Sequence, residues 1–356
     1  MSTIKEVADR AGVSVGTVSH VVTGSVHVSE VLKKRVEEAI LALDYHPNHV
    51  ARSLKTSRTH TLGIIVPDMT ISFYPQIIRG AETGARGKGY TLIAVNSLES
   101  LERQGELLSL LRSQQVDGIL LVVTEFGAGG QLQMDRLVTA GIPIVCLDRV
   151  PDHASIDSVS VEDVAAAEMG TDHLLAMGYK RIAIVTGPLA LRNERRRLQG
   201  YEQSLRRAGL APAENLVWQG NLRPDDIASL CRDRLSDPAS RPDALLCTNG
   251  PTALGALRGM HQCGLRTPED LGFVTFDELT VDDLFTPAIT TILQPACEIG
   301  FRAVEILLDR IQHNTARTGV NTLLLPATLK VRESSRRNQR RAQAAEIIEL
   351  RAAASS

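Results

Sequence analysis

From residue 61 onward, short apolar segments alternate with stretches whose apolar residues recur at helical spacing. Eight segments have the length and composition of β-strands: residues 62–66, 90–95, 118–123, 143–147, 181–186, 244–248, 271–276 and 322–325. Strands that alternate with helices pair in parallel and are covered by helices on both faces. This region is too long for one such layer, so the predicted fold class is α/β, with two lobes that each contain a doubly wound parallel sheet.

The first 46 residues contain no strand pattern and predict three short helices. Thr3 and Glu6 have the spacing of a capping box at the start of the first helix. Ser14 can cap a second helix and Ser29 a third, because serine is a favoured N-cap residue. Gly12 supplies a turn between the first two helices. The amino-terminal segment is therefore predicted to be a small three-helix domain.

The second predicted helix has the pattern of a helix-turn-helix, in which this helix enters the major groove and needs an apolar inner face. Ala8, Val13, Val18 and Val22 are spaced to pack inward. The residues that fall on the outer face are Val15, Gly16, Ser19, His20 and Thr23. The same pattern also fits a three-helix bundle that docks on another protein, and the pattern alone leaves both interpretations open.

Composition excludes several other classes. The net charge is −2, so attraction to nucleic acid must be local; residues 1–60 carry eight Lys or Arg against six Asp or Glu. Five scattered cysteines without Cys-x-x-Cys spacing argue against a disulfide framework or a zinc site and for a reducing cytoplasm. The apolar run at 119–123 is far shorter than the ~20 residues of a membrane helix, and residues 1–20 lack a secretory pattern. We expect a cytoplasmic protein without a membrane partner.

Signatures of catalysis are also missing. The sequence contains no Gly-x-x-x-x-Gly-Lys-[Ser/Thr], no His-Glu-x-x-His and no Gly-x-Ser-x-Gly, and the glycines at 127–130 lack Gly-x-Gly-x-x-Gly spacing. His173 and Cys263 have no partner that spacing identifies. We therefore expect no enzymatic activity, no cofactor and no metal site, although a DNA-binding head fused to a sugar-modifying enzyme is an alternative to be weighed.

Six ordered motifs, at residues 3–8, 11–15, 17–21, 27–29, 45–55 and 328–334, strongly resemble the lactose-repressor (LacI) family of bacterial transcription regulators. His20 and the string at 50–55 are most similar to the purine-repressor branch. The resemblance implies a helix-turn-helix head at 1–46, a hinge helix and linker at 47–60, and a periplasmic-binding-protein-like core at 61–332. Residues 333–356 are rich in Arg and Ala with few apolar residues, and this composition predicts a frayed or helical tail. Lobe one would comprise about 61–160 plus 293–325, and lobe two about 161–292 plus 326–332.

In this family the head reads DNA, and the resemblance assigns base-reading positions to Val15, Gly16 and His20. Histidine can donate to guanine, and valine can lie against a thymine methyl. Thr17, Ser19 and His27 match positions that contact phosphate, which fixes register without reading sequence. The implied DNA-binding residues of the head are Ser14, Val15, Gly16, Thr17, Ser19, His20 and His27.

The hinge, residues 47–60, includes a possible helix of about nine residues at 48–56. Helices shorter than ~12–15 residues are unstable alone, so this one needs a partner. In the family that partner is the minor groove at the operator centre, where a leucine is wedged between base pairs. Leu54 matches that leucine, with Asn48, Ala51 and Lys55 as further DNA contacts. The alternative is that Val50 and Leu54 pack on the core.

The resemblance also assigns effector contacts in a cleft between the lobes. Arg197 matches the arginine that grips the effector, and Asp148 and Asp277 match acidic positions that accept from it. Asn249 is followed by Gly250 where the family has Asn-Asp, so one contact is absent. The full set of implied effector-binding residues is Phe73, Tyr74, Asp148, Arg149, Asn193, Arg197, Leu222, Asn249 and Asp277. Alternatively, the strand-end aspartates cap helices and Arg197 forms a surface salt bridge.

Together these features predict a ligand-responsive repressor that binds a pseudo-palindromic double-stranded DNA operator as a homodimer. Leu222 stands where the family often has an aromatic ring that stacks on the ligand. Its presence favours a carbohydrate effector, and a nucleobase or another metabolite is the alternative. The sequence leaves open whether the effector induces or co-represses. The tail lacks sustained leucine heptads, so no tetramer is predicted.

Overall fold

The computed structural model describes residues 2–23, 27–45, 58–124, 141–151, 156–279, 286–313 and 319–337. Two compact units form, Met1–Thr59 and His60–Ser356. The predictions for Asn48, Ala51, Leu54 and Lys55 in the hinge, and those for the tail beyond residue 337, lie outside the described residues and stay predictions.

The first unit contains the helices α1 (Ile4–Ala11), α2 (Val15–Thr23) and α3 (Glu30–Ala42). The predicted capping box is present: Thr3 Oγ1 accepts from the Glu6 amide at 3.3 Å, and the Glu6 carboxylate accepts from the Thr3 amide at 2.7 Å. Ser14 Oγ accepts from the Thr17 amide at 3.1 Å, which caps α2. Ser29 occupies the N-cap position of α3 as predicted, but its side chain makes no capping bond, and its carbonyl alone accepts from the first turn.

The core of this unit confirms the predicted inner face. Ala8 and Val18 are buried, and Val13 and Val22 pack against them. Gly12 has a left-handed φ of 61°, as a helix-ending turn requires. The buried apolar residues of the unit are Val7, Ala8, Ala11, Val18, Val36, Ala39 and Tyr45.

The second unit contains two six-stranded sheets. The strands of the first are β1 (Thr61–Val66), β2 (Thr91–Asn96), β3 (Gly118–Leu121), β4 (Ile144–Leu147), β5 (Asp157–Val161) and β11 (Thr322–Leu325). The strands of the second are β6 (Ile182–Thr186), β7 (Val217–Gln219), β8 (Ala244–Cys247), β9 (Gly272–Phe276), β10 (Thr290–Leu293) and β12 (Thr328–Lys330). The surrounding helices are α4 (Phe73–Arg86), α5 (Leu101–Ser113), α6 (Asp163–Ala176), α7 (Arg192–Arg207), α8 (Pro224–Leu235), α9 (Gly250–Gln262) and α10 (Ala296–Gln312).

All eight predicted strands form, with ends within two residues of the prediction. Of the other four strands, β12 lies in the 328–334 motif that resembles the family, while β5, β7 and β10 escaped prediction. Their sequences, Asp-Ser-Val-Ser-Val, Val-Trp-Gln and Thr-Thr-Ile-Leu, are short and mixed in polarity. Their strand character comes from pairing with neighbours in the sheet, which local composition does not reveal.

The strand order is β11-β5-β4-β3-β1-β2 in the first sheet and β12-β10-β9-β8-β6-β7 in the second. Every pair is parallel except β10 with β12. The chain passes from one sheet to the other after β5, after β10 and after β11. This arrangement confirms the predicted pair of doubly wound lobes and brings the carboxyl ends of both sheets to a shared cleft.

In lobe one, α4 and α10 approach each other through glycines. A Cβ on Gly80 would overlap the carbonyl oxygen of Cys297, and a Cβ on Gly300 would overlap that of Ile77. Because backbone atoms cannot give way like a flexible side chain, these helices need glycine at both positions.

We expect Gly80→Ala to lower the free energy of unfolding by about 3 kcal/mol, because overpacking forces two helix backbones apart. Denaturant unfolding of the full chain measures this. Gly87→Ala is the matched control, since a Cβ there meets no atom closer than 3.4 Å. Equal stability of the two variants would contradict the close helix contact.

Candidate effector site and DNA-reading head

Polar side chains lie where the strands of both sheets end, at the cleft. Asp148 follows β4 of lobe one, while Asn249 and Asp277 follow β8 and β9 of lobe two. Asn193 and Arg197 lie in the first turns of α7, which comes after β6. Open α/β sheets bind ligands at this edge.

A cavity of about 360 Å³, part of it open to solvent, lies between the lobes. The structure brings together all nine residues that the sequence assigned to an effector: Phe73, Tyr74, Asp148, Arg149, Asn193, Arg197, Leu222, Asn249 and Asp277. The cavity is also lined by residues that sequence reasoning missed, namely Ile71, Glu194, Gly250, Pro251 and Gln294. The nine predicted residues thus line one cavity in the structure, and their contact with an effector remains a prediction.

Arg197 is the hub of the cavity and is 2% exposed. Its Nε donates to Asp163 Oδ1 at 2.8 Å, Nη1 to the Thr248 carbonyl at 2.6 Å and Nη2 to Gln294 Oε1 at 3.0 Å. Asp148 lies 3.9 Å away. The surface salt bridge considered as an alternative is therefore wrong, because burial places this guanidinium among protein acceptors.

Glu194 forms a second buried cluster beside this hub. Its carboxylate accepts from the Gly187 amide at 2.9 Å, from Thr248 Oγ1 at 2.5 Å and from Asn249 Nδ2 at 3.0 Å. Asn249 Oδ1 accepts from the Thr252 amide at 2.9 Å and so caps α9. Asn249 therefore has a structural task in addition to its place in the cavity wall.

Asn193 and Arg149 lie on opposite lobes of the cavity and differ in how they are satisfied. Asn193 is 4% exposed, and its Oδ1 has no hydrogen-bond partner among the described residues. Arg149 donates from both Nη atoms to the two carboxylate oxygens of Glu99, at 2.8 and 2.9 Å. The asparagine thus offers an acceptor that a ligand can use, while the arginine is already engaged.

Three residues of the cavity wall have left-handed backbones: Asp148 (φ 56°), Leu222 (φ 65°) and Asp277 (φ 65°). Non-glycine residues pay about 1–3 kcal/mol for such strained conformations, which concentrate at functional sites. The Asp148 amide donates to the Val159 carbonyl and the Asp277 amide to the Ile292 carbonyl, each at 3.0 Å. The two lobes therefore fix their strand-end aspartates in the same way, by a bond to the adjacent strand.

The cavity holds more acidic than basic groups. Burial raises the pKa of Asp277 to about 7, against the opposing effect of Arg197 and a hydrogen bond from Gln294. Burial also raises the pKa of Asp163 to about 6, again opposed by Arg197. Both carboxyl groups are poorly solvated, and Asp277, which lines the cavity, would be stabilised by hydrogen-bond donors on a ligand.

The raised pKa of Asp277 predicts a stability that falls as pH rises. The folded chain binds this proton more tightly than the unfolded chain, whose aspartate has a pKa near ~3.9. The contribution of this group to the free energy of unfolding therefore decreases between about pH 4 and pH 7. The asparagine in Asp277→Asn would not ionise, so the free energy of unfolding of this variant should rise relative to that of the wild type by about 2 kcal/mol as the pH increases from about 5 to 8. Denaturant unfolding at several pH values measures this difference. Asp233→Asn is the control, because this side chain is 70% exposed. If the stability difference between Asp277→Asn and the wild type were the same at every pH, the prediction would be contradicted.

The first unit presents short side chains on the outer face of α2, as predicted. Val15 is 43% exposed, and Gly16 and His20 are also exposed. Ser14, Thr17, Ser19 and His27 are the other residues assigned to DNA: Ser14 and His27 are exposed, and Thr17 and Ser19 are partly buried. The Ser14 and Thr17 hydroxyls lie 2.9 Å apart. This surface has the form of a recognition helix, and its individual DNA contacts remain predictions.

A helix-turn-helix head on the same chain as a two-lobed, ligand-binding type of core defines a ligand-responsive DNA-binding regulator. Residues 3–48 match the model for bacterial regulatory proteins of the lacI family, and residues 171–335 match a periplasmic binding protein-like domain. The chain belongs to the LacI family, which consists of transcription repressors rather than enzymes.

Similar proteins include the ribose operon repressor of Escherichia coli K12, 35% identical over 315 residues that cover 88% of this chain and 94% of that protein. The HTH-type transcriptional repressor PurR of Vibrio atlanticus is 34% identical over 88% of this chain and 92% of that protein. The Lac repressor bound to ONPG in its repressed state matches with a TM-score of 0.80 at 28% identity, over 94% of this chain and 99% of that one. The CelR–cellobiose complex matches with a TM-score of 0.70 at 31% identity, over 94% of this chain and 100% of that one.

None of the helices in the described ranges is both long enough and apolar enough to cross a membrane. Within the same ranges, no group of three or more His, Cys, Asp or Glu side chains could hold a metal ion.

Proposed function

We propose that this repressor binds a pseudo-palindromic operator as a homodimer and that an uncharged carbohydrate in the interlobe cavity sets its affinity for DNA. Residues 1–46 would read the operator half-sites, 47–60 would form the hinge and 61–332 would bind the effector and dimerise. Because its target is chromosomal, the protein would act in the cytoplasm. Small effectors and dimeric operator binding are typical of the family.

One observation carries the carbohydrate assignment: the groups that the cavity leaves for a ligand are acceptors. Asn193 Oδ1 is buried without a partner among the described residues. Within the described ranges, the Asp148 carboxylate accepts no hydrogen bond and lies 3.9 Å from an Arg197 nitrogen, and the Asp277 carboxylate accepts from Gln294 through a single oxygen. A polyhydroxyl ligand supplies the hydrogen-bond donors that such a wall needs.

The apolar part of the wall also suits a sugar. Phe73 and Tyr74 form an edge-to-face pair with ring centroids 5.5 Å apart, and Leu222 lies on the other lobe. A flat nucleobase gains most when aromatic rings cover its faces, whereas a sugar ring has apolar C–H groups and a polar edge. The relatives named for ribose and cellobiose support a sugar, while the similar PurR keeps a purine as the second candidate.

The response to ligand requires different affinities for two states of the core. We propose that ligand in the cleft changes the angle between the lobes and thereby decides whether the paired hinge segments fold on DNA. A shift from 1:99 to 99:1 requires about 5.5 kcal/mol of differential binding. Either direction of control, induction or co-repression, fits this scheme.

A thermal-shift screen of neutral sugars and nucleobases tests the proposal, because a ligand that prefers the folded state raises Tm. We expect a neutral mono- or disaccharide to raise Tm and to change operator affinity in a gel-shift assay. Asn193→Ala should weaken that ligand by about tenfold, since one buried hydrogen bond is lost. Gln199→Ala, at an exposed position on the same helix, should leave binding unchanged. A response to nucleobases alone would overturn the carbohydrate assignment.

A further inference from the structure

We propose that Glu99 determines specificity by excluding anionic ligands from the cavity: it occupies the guanidinium fork of Arg149 that a sugar phosphate or a sugar acid would otherwise bind. The cavity would thus admit the uncharged form of its ligand and reject phosphorylated forms. The choice of a sugar rests on the proposed function, but the charge selection rests on the cavity itself.

The pairing of Glu99 with Arg149 has the geometry by which arginine binds an anionic ligand. Two parallel hydrogen bonds, 2.8 and 2.9 Å long, join the two Nη atoms to the two carboxylate oxygens. Planar, bidentate pairing of this kind is how arginine recognises phosphate and carboxylate groups. The Arg149 side chain is 7% exposed, whereas that of Glu99 is 31% exposed. The protein therefore supplies its own anion, from the outer side, to an arginine that lines the cavity.

The backbone holds this carboxylate in place. Leu98 and Glu99 have consecutive left-handed φ values of 55° and 54°, one residue beyond the end of β2. The Ser97 amide donates to the Val66 carbonyl at 2.9 Å, and the hydroxyls of Ser97 and Thr124 lie 2.8 Å apart. Two strained non-glycine residues in a row persist only when their surroundings fix them. The backbone and side-chain hydrogen bonds of the loop thus hold Glu99 in position. Leu98 is 59% exposed, so burial of its side chain adds little to the stability of the loop.

The remaining charges of the cavity also disfavour anions. The other arginine in the cavity wall is Arg197, whose guanidinium donates hydrogen bonds to Asp163, Thr248 and Gln294. Carboxylates of Asp148, Glu194 and Asp277 line the same space. Among the described lining residues, Arg149 is therefore the cation that an anionic ligand would bind. The carboxylate of Glu99 prevents this binding by occupying the Arg149 guanidinium.

Glu99→Ala in the full chain opens the fork and gives a gain of function. The probes are inorganic phosphate and matched pairs of neutral and phosphorylated sugars, such as ribose and ribose 5-phosphate, followed by titration calorimetry and Tm. We expect the variant to bind phosphate at least about tenfold more tightly than the wild type, because a charge-assisted pair becomes available. Glu102→Ala, which removes an exposed carboxylate three residues away, should behave like the wild type. Adding Arg149→Gln to Glu99→Ala should abolish the gain.

The proposal is overturned if Glu99→Ala gains no anion affinity, or if the gain survives loss of Arg149. It is also overturned if the wild type binds a phosphorylated sugar as tightly as its neutral partner; this measurement needs no variant and decides the matter should Glu99→Ala fail to fold. A wild type that answers only to nucleobases would refute the carbohydrate assignment while leaving the phosphate gain of Glu99→Ala unaffected, so the two proposals fail separately.

Discussion

Arg197→Ala is expected to lower the free energy of unfolding of the core by about 3–5 kcal/mol and to abolish the response to effector. The guanidinium is 2% exposed and bonds to Asp163, Thr248 and Gln294. Its removal leaves a buried carboxylate and two buried acceptors without their donor, and this penalty exceeds the loss of the contact itself. Denaturant unfolding and effector titration of the full chain measure the two effects.

Arg206→Ala is the matched control for Arg197→Ala, because it removes an arginine from the same helix. The Arg206 side chain is 59% exposed and pairs with Glu202 one turn away. Exposed pairs contribute at most about 1 kcal/mol, so this variant should remain close to the wild type. If Arg197→Ala were as stable as Arg206→Ala, the contacts of Arg197 with Asp163 and Asp148 would not stabilise the core as the structure indicates.

Leu54→Ala is expected to weaken operator binding by about a hundredfold while effector affinity stays unchanged. Leu54 lies outside the described residues, so the prediction rests on the nine-residue length of the segment and on its match to the family's wedging leucine. A wedge offsets unstacking, at a few kcal/mol per step, with the contacts of a bent duplex. Gel shifts with an operator and calorimetry with the effector measure both properties on one preparation.

Equal losses of operator and effector affinity in Leu54→Ala would indicate that this leucine packs on the core instead of entering DNA. Leu41→Ala offers a matched control in the head, because Leu41 is 82% exposed on α3. This control should retain operator affinity; a loss as large as that of Leu54→Ala would mean that hydrophobic truncation anywhere in the amino-terminal unit weakens the complex.

The family resemblance located the cavity wall well, since its motifs mark strand ends that a parallel sheet must bring to one edge. It missed Glu194, although this residue is adjacent to Asn193, because a glutamate within an arginine-rich helix looks like a solvated residue. It missed Asp163 because this residue follows β5, whose polar sequence gave no strand signal. The full-length relatives include ribose and purine repressors at nearly equal identity, so the similarity of the head to the purine-repressor branch does not extend to a choice of effector.

The sequence alone determined the division into a helical head and a doubly wound core, because hydrophobic periodicity and strand-end turns are local properties. It also determined which residues occupy the strand ends at the cleft. Only the tertiary structure decided how those residues are satisfied. The pairing of Arg149 with Glu99, and of Arg197 with Asp163 and Gln294, joins positions 34 to 97 residues apart. Hydrogen bonds over such separations depend on how the sheets stack and where each loop turns, and this information is spread over the whole chain.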